Sequence, residues 1–263
     1  MLCKIASGPA FKKIVQCVLS SITVLAAFST PVAAQPLGLV VSVAASLNDA
    51  LAEIAGLYRA ATGVTVALNT GGSNTLARQI VEGARVGVFI SADSIQMDLV
   101  EKAGRVVPGT RTRLLTNELA VVVPHDAPAS VTLTQVVEGH VMRIAMGEPS
   151  AVPAGVYGRR WLEAQKAWDR LSPKVVPFPT VRAVLSAVEA GRVDAGVVYR
   201  TDALTSNVRV IAHIASKDHP YLDIVQPAAV IAGREAAEGR RFLEFLKGPQ
   251  ARAVFTKRGF GLP

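Results

Sequence analysis

Two serines stand where short apolar runs give way to helical spacing: Ser46 in Val43-Ala44-Ala45-Ser46-Leu47 and Ser73 in Gly71-Gly72-Ser73-Asn74-Thr75. A helix N-terminus carries unpaired backbone N–H groups and a partial positive charge, so it attracts anions. A serine at the N-cap adds a hydroxyl to those donors. Two further corners share this character. In Val152-Pro153-Ala154-Gly155-Val156-Tyr157, Pro153 takes the first helical turn, where a missing N–H costs little, while Ala154 and Gly155 keep free amides and small side chains. In Phe178-Pro179-Thr180-Val181-Arg182, Thr180 is the expected N-cap and the Val181 amide lies behind it. Tyr199 ends an apolar run just before Arg200-Thr201-Asp202, so its hydroxyl is a further candidate donor.

Taken singly, such a corner is more often a plain helix cap than a ligand contact. The weight lies in having two in each half of the chain. Hydrogen bonds to a charged acceptor contribute roughly 1.5–3 kcal/mol each, so a handful can hold a dehydrated dianion without a paired cation. A tetrahedral dianion such as sulfate or molybdate offers only acceptors, whereas phosphate near neutral pH often keeps a proton and favours a carboxylate in its site. No Asp or Glu occupies a cap position at the four corners, although Asp49 and Glu148 are near in sequence. This leans toward a fully ionised oxyanion.

The elements that must position these corners alternate along the chain. Residues 39–44 form a β-branched run suited to a buried parallel strand. From Ser46, the apolar residues Leu47, Ala50, Leu51, Ile54, Leu57 and Tyr58 recur at helical spacing until Gly63. Strands are expected at 64–68, 88–91, 119–124, 143–146, 174–178, 195–199 and 224–231. Helices are expected at 75–82, from about Asp93, and at 153–166, 181–190, 235–246 and 249–256. Repeated strand–helix units imply an α/β protein with parallel sheets. A chain of this length with one strand in mid-chain and another near its end suits two lobes joined by two crossings, with ligands bound beyond the strands' carboxyl ends. The expected lobes are 35–118 plus 225–263, and 119–224.

The first 34 residues read separately. Lys4, Lys12 and Lys13 precede an apolar stretch from about Ile14 to Phe28, and Thr30-Pro31-Val32-Ala33-Ala34 follows. This is the pattern of a secretory signal peptide, with the cut expected after Ala34 and a periplasmic destination. The apolar run is shorter than the ~20 residues a spanning helix needs. Cys3 and Cys17 both fall inside it, so the exported part has no thiol for a disulfide, a thiolate metal site or a nucleophile. The formal charge of the whole chain is +8, and aromatic residues make up only 5% of it. With basic residues scattered and export expected, a nucleic-acid partner is not expected; a mildly basic surface draws anions toward a cleft.

At these residues the chain resembles the periplasmic molybdate-binding proteins of ABC importers. The matching segments include Ala44-Ala45-Ser46-Leu47, Ser73-Asn74-Thr75-Leu76-Ala77-Arg78-Gln79-Ile80, Phe89-Ile90-Ser91-Ala92-Asp93, Val152-Pro153-Ala154-Gly155-Val156-Tyr157, Val197-Val198-Tyr199 and Phe245-Leu246-Lys247-Gly248-Pro249-Gln250. The resemblance spans essentially all of the exported part. It implies a type II periplasmic-binding-protein fold, each lobe a sheet flanked by helices, with the ligand in the interlobe cleft. It implies hydroxyl donors at Ser46, Ser73 and Tyr199, and amides at Ser46, Ser73, Ala154 and Val181. Molybdenum would enter only as the oxyanion, molybdate or tungstate, held through those same five residues. No cofactor is implied, and the expected partner is a membrane permease that receives the ligand from a monomeric carrier. Two departures stand out: Thr180 where the family commonly has an acid, and Gly87 where it usually has Asp.

Enzyme readings find less support. There is no Gly-x-Ser-x-Gly elbow, and Gly71-Gly72-Ser73 lacks the Gly-Lys-Ser/Thr of a phosphate-binding loop. His125, His140, His213 and His219 do not cluster and are expected to face solvent. A cytoplasmic regulator would need a DNA-binding segment where the signal stands. The nearest alternative is a carrier for another small anion such as sulfate, phosphate or a carboxylate. Arg78, Arg182 and Arg200 lie near the corners and could pair with a carboxylate ligand, although Arg78 and Arg182 are expected to face solvent or pair with nearby acids.

Overall fold

The computed structural model describes residues 38–263. The expected signal, its cut and both cysteines lie outside the described residues.

Strand β1 (Leu39–Ala44) runs into a 3₁₀ turn (Ala45–Leu47) and helix α1 (Asn48–Thr62). Then come β2 (Val66–Gly71), α2 (Ser73–Val81), β3 (Val88–Ile90), α3 (Ser94–Lys102) and β4 (Thr112–Thr116). The middle of the chain holds β5 (Leu119–Pro124), α4 (Leu133–Val137), β6 (Ile144–Gly147), α5 (Pro153–Ala164), α6 (Trp168–Leu171), β7 (Val175–Phe178), α7 (Val181–Glu189), β8 (Ala195–Tyr199), α8 (Arg200–Ala203) and β9 (Val208–Ile214). It ends with β10 (Val225–Val230), α9 (Ala236–Lys247) and α10 (Pro249–Lys257). The strands form two five-stranded sheets, ordered β2-β1-β3-β10-β4 and β7-β6-β8-β5-β9. Helices flank both.

The period of two along β3 shows how the first sheet is filled. Val88 and Ile90 pack in one core with Leu39, Val41 and Val43, against Leu51, Ile54 and Tyr58 of α1 and Phe242 of α9. Phe89 points the other way, into a second core with Leu76 and Ile80 of α2 and Met97 and Val100 of α3. Tyr58 meets the Phe242 ring edge-on, centroids 5.0 Å apart. Burying side chains of this size contributes about 1.5–3 kcal/mol each, so both faces are held by apolar transfer.

The sheets are mixed rather than parallel, which corrects the sequence expectation. β1, β2 and β3 run parallel, as do β6, β7 and β8. β10 lies antiparallel to β3 and β4, and β5 antiparallel to β8 and β9. β5 and β10 are the strands by which the chain enters one sheet from the other, and each arrives against the direction of its neighbours. β4, α4, α6, α8 and β9 depart from the sequence expectation: β4 buries only Leu114 and Leu115 in Thr112–Thr116, and β9, although Val208, Val210, Ala212 and Ile214 alternate with Arg209 and His213, is a sheet edge at which only Ile214 is buried. β2 starts two residues later than expected and ends on Gly71, at the site.

Beside Gly87 the space is already taken. A Cβ there would lie 2.4 Å from Leu39 Cδ1 and 3.2 Å from Glu235 Cβ. The buried Glu235 carboxylate, just before α9, accepts from the Val40 amide at 3.3 Å and pairs with Arg85 at 2.8 Å.

Candidate oxyanion site

The carboxyl ends of the two parallel strand sets converge on one small cavity of about 20 Å³, lined by Ser46, Ser73, Ala154, Val181 and Tyr199 together with Ala44, Ala45, Gly71, Gly72, Ala92, Val152, Pro153 and Thr180. A water-sized centre needs roughly 10–15 Å³, so the space suits one compact solute and not a sugar or a peptide. All five residues expected from the sequence are buried and stand together. No charged side chain is among the lining residues.

Each corner has its own local cause. After β1 the backbone tightens into the 3₁₀ turn, and Ser46 lies inside it. Ser46 is therefore not an N-cap as expected: α1 begins only at Asn48, with Leu47 before it. Ser73 is likewise the first residue of α2, not its cap, since Gly72 takes the cap position with extended backbone. The physical reason is the same in both places. Each hydroxyl is engaged elsewhere, so it does not fold back on its own helix. The Ala92 amide donates to Ser73 Oγ at 2.9 Å, and the buried Gln226 Nε2 approaches Ser46 Oγ at 3.5 Å. A hydroxyl whose oxygen accepts from the protein keeps its proton for the cavity.

On the opposite wall, Val152 is the N-cap of α5 and Pro153 its first residue, as the sequence implied. The first-turn amides of Ala154 and Gly155 have no carbonyl within the helix to serve. Gly155 is required by close approach: a Cβ would come within 2.0 Å of the Gly147 carbonyl oxygen at the end of β6. Thr180 caps α7 by accepting from the Ala183 amide at 3.2 Å, which leaves the Val181 amide free at the cavity. The Tyr199 hydroxyl donates to the Ala92 carbonyl at 3.5 Å. Complete burial holds its pKa well above the usual phenolic value, so it stays a neutral donor.

Ionisable groups stand behind the cavity rather than in it. Asp93 caps α3 through the Gln96 amide at 2.9 Å, and burial pushes its carboxyl up to about 6. Asp202 is fully buried, and desolvation pushes it up to about 7 against the opposing pull of Arg182. Arg182 pairs with Asp49 and Asp202, Arg200 donates to the Gly259 carbonyl, and Arg78 is exposed. His125, His140 and His213 are exposed; His219 is half-buried, its ring held by the Tyr221 hydroxyl at 3.0 Å. Among the described residues there is no group of His, Cys, Asp and Glu arranged to hold a metal ion, and no helix long and apolar enough to cross a membrane.

Sequence reasoning had not assigned Ala92 or Gln226 to the site. Ala92 sits in a segment already singled out, but nothing local marks its amide. Gln226 lies on β10, far away in sequence, and only the sheet order brings it behind Ser46.

Residues 39–261 match the family described as bacterial extracellular solute-binding proteins. The chain is 38% identical over 225 residues to the molybdate-binding protein ModA of Escherichia coli K12, covering 82% of this chain and 86% of the relative. It is 38% identical over 225 residues to a putative ABC transporter substrate-binding lipoprotein, YvgL, of Bacillus subtilis, covering 84% and 85%. Among solved structures, the periplasmic molybdate-binding protein of Azotobacter vinelandii superposes with a TM-score of 0.77 at 27% identity, covering 86% of this chain and 99% of that one.

Proposed function

Because the chain belongs to the family of bacterial extracellular solute-binding proteins, we propose that it captures molybdate outside the cytoplasm and hands it to the membrane permease of an ABC importer. The observation that carries this reading is the cavity itself: hydroxyls and first-turn amides from both sheets, with no charged side chain, around space for one compact solute. Neutral donors preset on helix N-termini suit a fully deprotonated tetrahedral anion, which accepts and never donates. The similarity to ModA selects molybdate within that class. Tungstate, with the same charge and shape, is expected to bind as well.

In this reading Ser46, Ser73 and Tyr199 donate hydroxyl protons, and Ser46, Ser73, Ala154 and Val181 donate amides. One lobe comprises 35–118 and 225–263 and the other 119–224, a division supported by the membership of the two sheets. The hinge then lies at 117–118 and 215–224, where Asn117 donates to Thr201 at 2.9 Å and to the Ile224 carbonyl at 3.1 Å. Only the closed form presents donors from both walls, so ligand shifts the population toward closure. The protein is a monomeric carrier without a cofactor or catalytic activity, exported to the periplasm after cleavage near Ala34.

Calorimetric titration of the purified chain with molybdate, tungstate, sulfate and phosphate tests this. Molybdate and tungstate should bind with 1:1 stoichiometry and far more tightly than sulfate or phosphate. Tight sulfate or phosphate binding with no heat from molybdate would replace the assignment by the corresponding anion.

A further inference from the structure

A second, larger cavity of about 300 Å³ adjoins the first, sharing Ala45, Gly71 and Thr180 and adding Asn48, Asp49, Thr70 and Arg182. It forms the mouth of the cleft, and an ion pair crosses it. Arg182, on α7 of the second sheet's half, places Nη2 2.8 Å from Asp49 Oδ2, on α1 of the first. Each partner is fixed from its own side. Arg182 Nε is 3.0 Å from the buried Asp202, and Nη1 reaches Thr205 Oγ1 at 3.4 Å. Asp49 accepts from Asn48 Nδ2 at 3.3 Å, and Asn48 in turn accepts from the Thr70 hydroxyl at 2.9 Å. Two other ion pairs, Arg200–Glu118 and Arg113–Asp223, flank the crossings at 117–118 and 215–224. A pair beside the hinge survives opening, whereas a pair across the mouth must break.

Asp49 is otherwise misplaced. A carboxylate at the entrance to an anion site repels the guest unless a cation neutralises it. We propose that the Arg182–Asp49 ion pair is a latch across the cleft mouth that sets how long a captured oxyanion stays enclosed. The latch rests on the reading above that this cleft binds a dianion. Arg182 and Asp49 are positioning residues: neither lines the anion cavity.

The test is the dissociation rate. Wild type and Asp49→Asn, a change at a partly exposed side chain, are loaded with molybdate and chased with excess tungstate in a stopped-flow experiment. The latch makes release from Asp49→Asn about 2–5-fold faster, the range a partly exposed ion pair supports. The difference should shrink near about 1 M salt, where such pairs are screened. Simple electrostatics predicts the opposite sign, because removing a negative charge near a bound dianion slows its escape. Equal or slower release from Asp49→Asn overturns the latch while leaving molybdate binding intact. If wild type binds none of the four oxyanions, the functional reading fails instead. Small-angle scattering of the ligand-free proteins then decides the latch: a larger radius of gyration for Asp49→Asn supports it, and identical radii overturn it.

Discussion

At the scale of single residues, the proposed site depends on the direction of protons. Ser73 Oγ is occupied by the Ala92 amide and Ser46 Oγ is approached by Gln226, so both hydroxyl protons are available to an acceptor in the cavity. Ser46→Ala and Ser73→Ala should each weaken molybdate binding by about 1–3 kcal/mol, measured calorimetrically, with little change in fold. Unchanged affinity in both would make these serines purely structural. Asp93 gives a pH prediction. Burial raises its pKa from 3.8 to about 6, so the folded chain keeps a proton that the unfolded chain releases between those values. The stability from this group is present at low pH and is lost as pH rises through that window. Asp93→Asn keeps the oxygen that caps α3 and removes the buried charge. Its thermal unfolding at about pH 8 should show a gain of about 3 kcal/mol that largely vanishes near about pH 4. Residue types were the most legible layer of the sequence: the five expected residues line one cavity. Their capping roles were misread for the serines, because a hydroxyl's partner can come from 19 residues along the chain, as at Ala92, or 180, as at Gln226.

At the scale of elements, the decisive fit is that of α5 against the end of β6. Gly155 lies so close to the Gly147 carbonyl that no side chain can be accommodated. Gly155→Ala should push the first turn of α5 outward and carry the Ala154 amide off the anion. The expected outcome is a loss of ~1–3 kcal/mol in stability, the usual cost of overpacking, together with a larger fractional loss of molybdate binding. Denaturant unfolding and calorimetry would separate the two effects. Most helices and the parallel strands were readable from periodicity, since β3, β6 and β8 are buried on both faces and β1 is interrupted only by Ser42 and the half-buried Val40. The antiparallel strands were harder. Direction within a sheet is set by partners distant in sequence, and neither the Leu119–Pro124 run nor the Val225–Val230 run carries a local sign of it.

At the scale of the molecule, ligand and fold are linked by mass action. Molybdate at one hundred times its dissociation constant should add about 2.7 kcal/mol to stability. For a chain of this size that is a rise in Tm of about 5–10 °C, read by scanning calorimetry. Sulfate at the same concentration should give a far smaller rise. The order of strands in the first sheet also bears on how the chain comes into being. β4 is joined to β3 only through β10, which lies more than a hundred residues downstream. A ribosome that has delivered everything up to residue 224 has still not supplied the strand that completes the first sheet, nor the two helices that follow it. The nascent chain therefore cannot finish its first-made half until its last segment emerges, and long-range pairing of this kind is intrinsically slow. In a chain exported as proposed above, delayed closure would keep the polypeptide threadable during translocation.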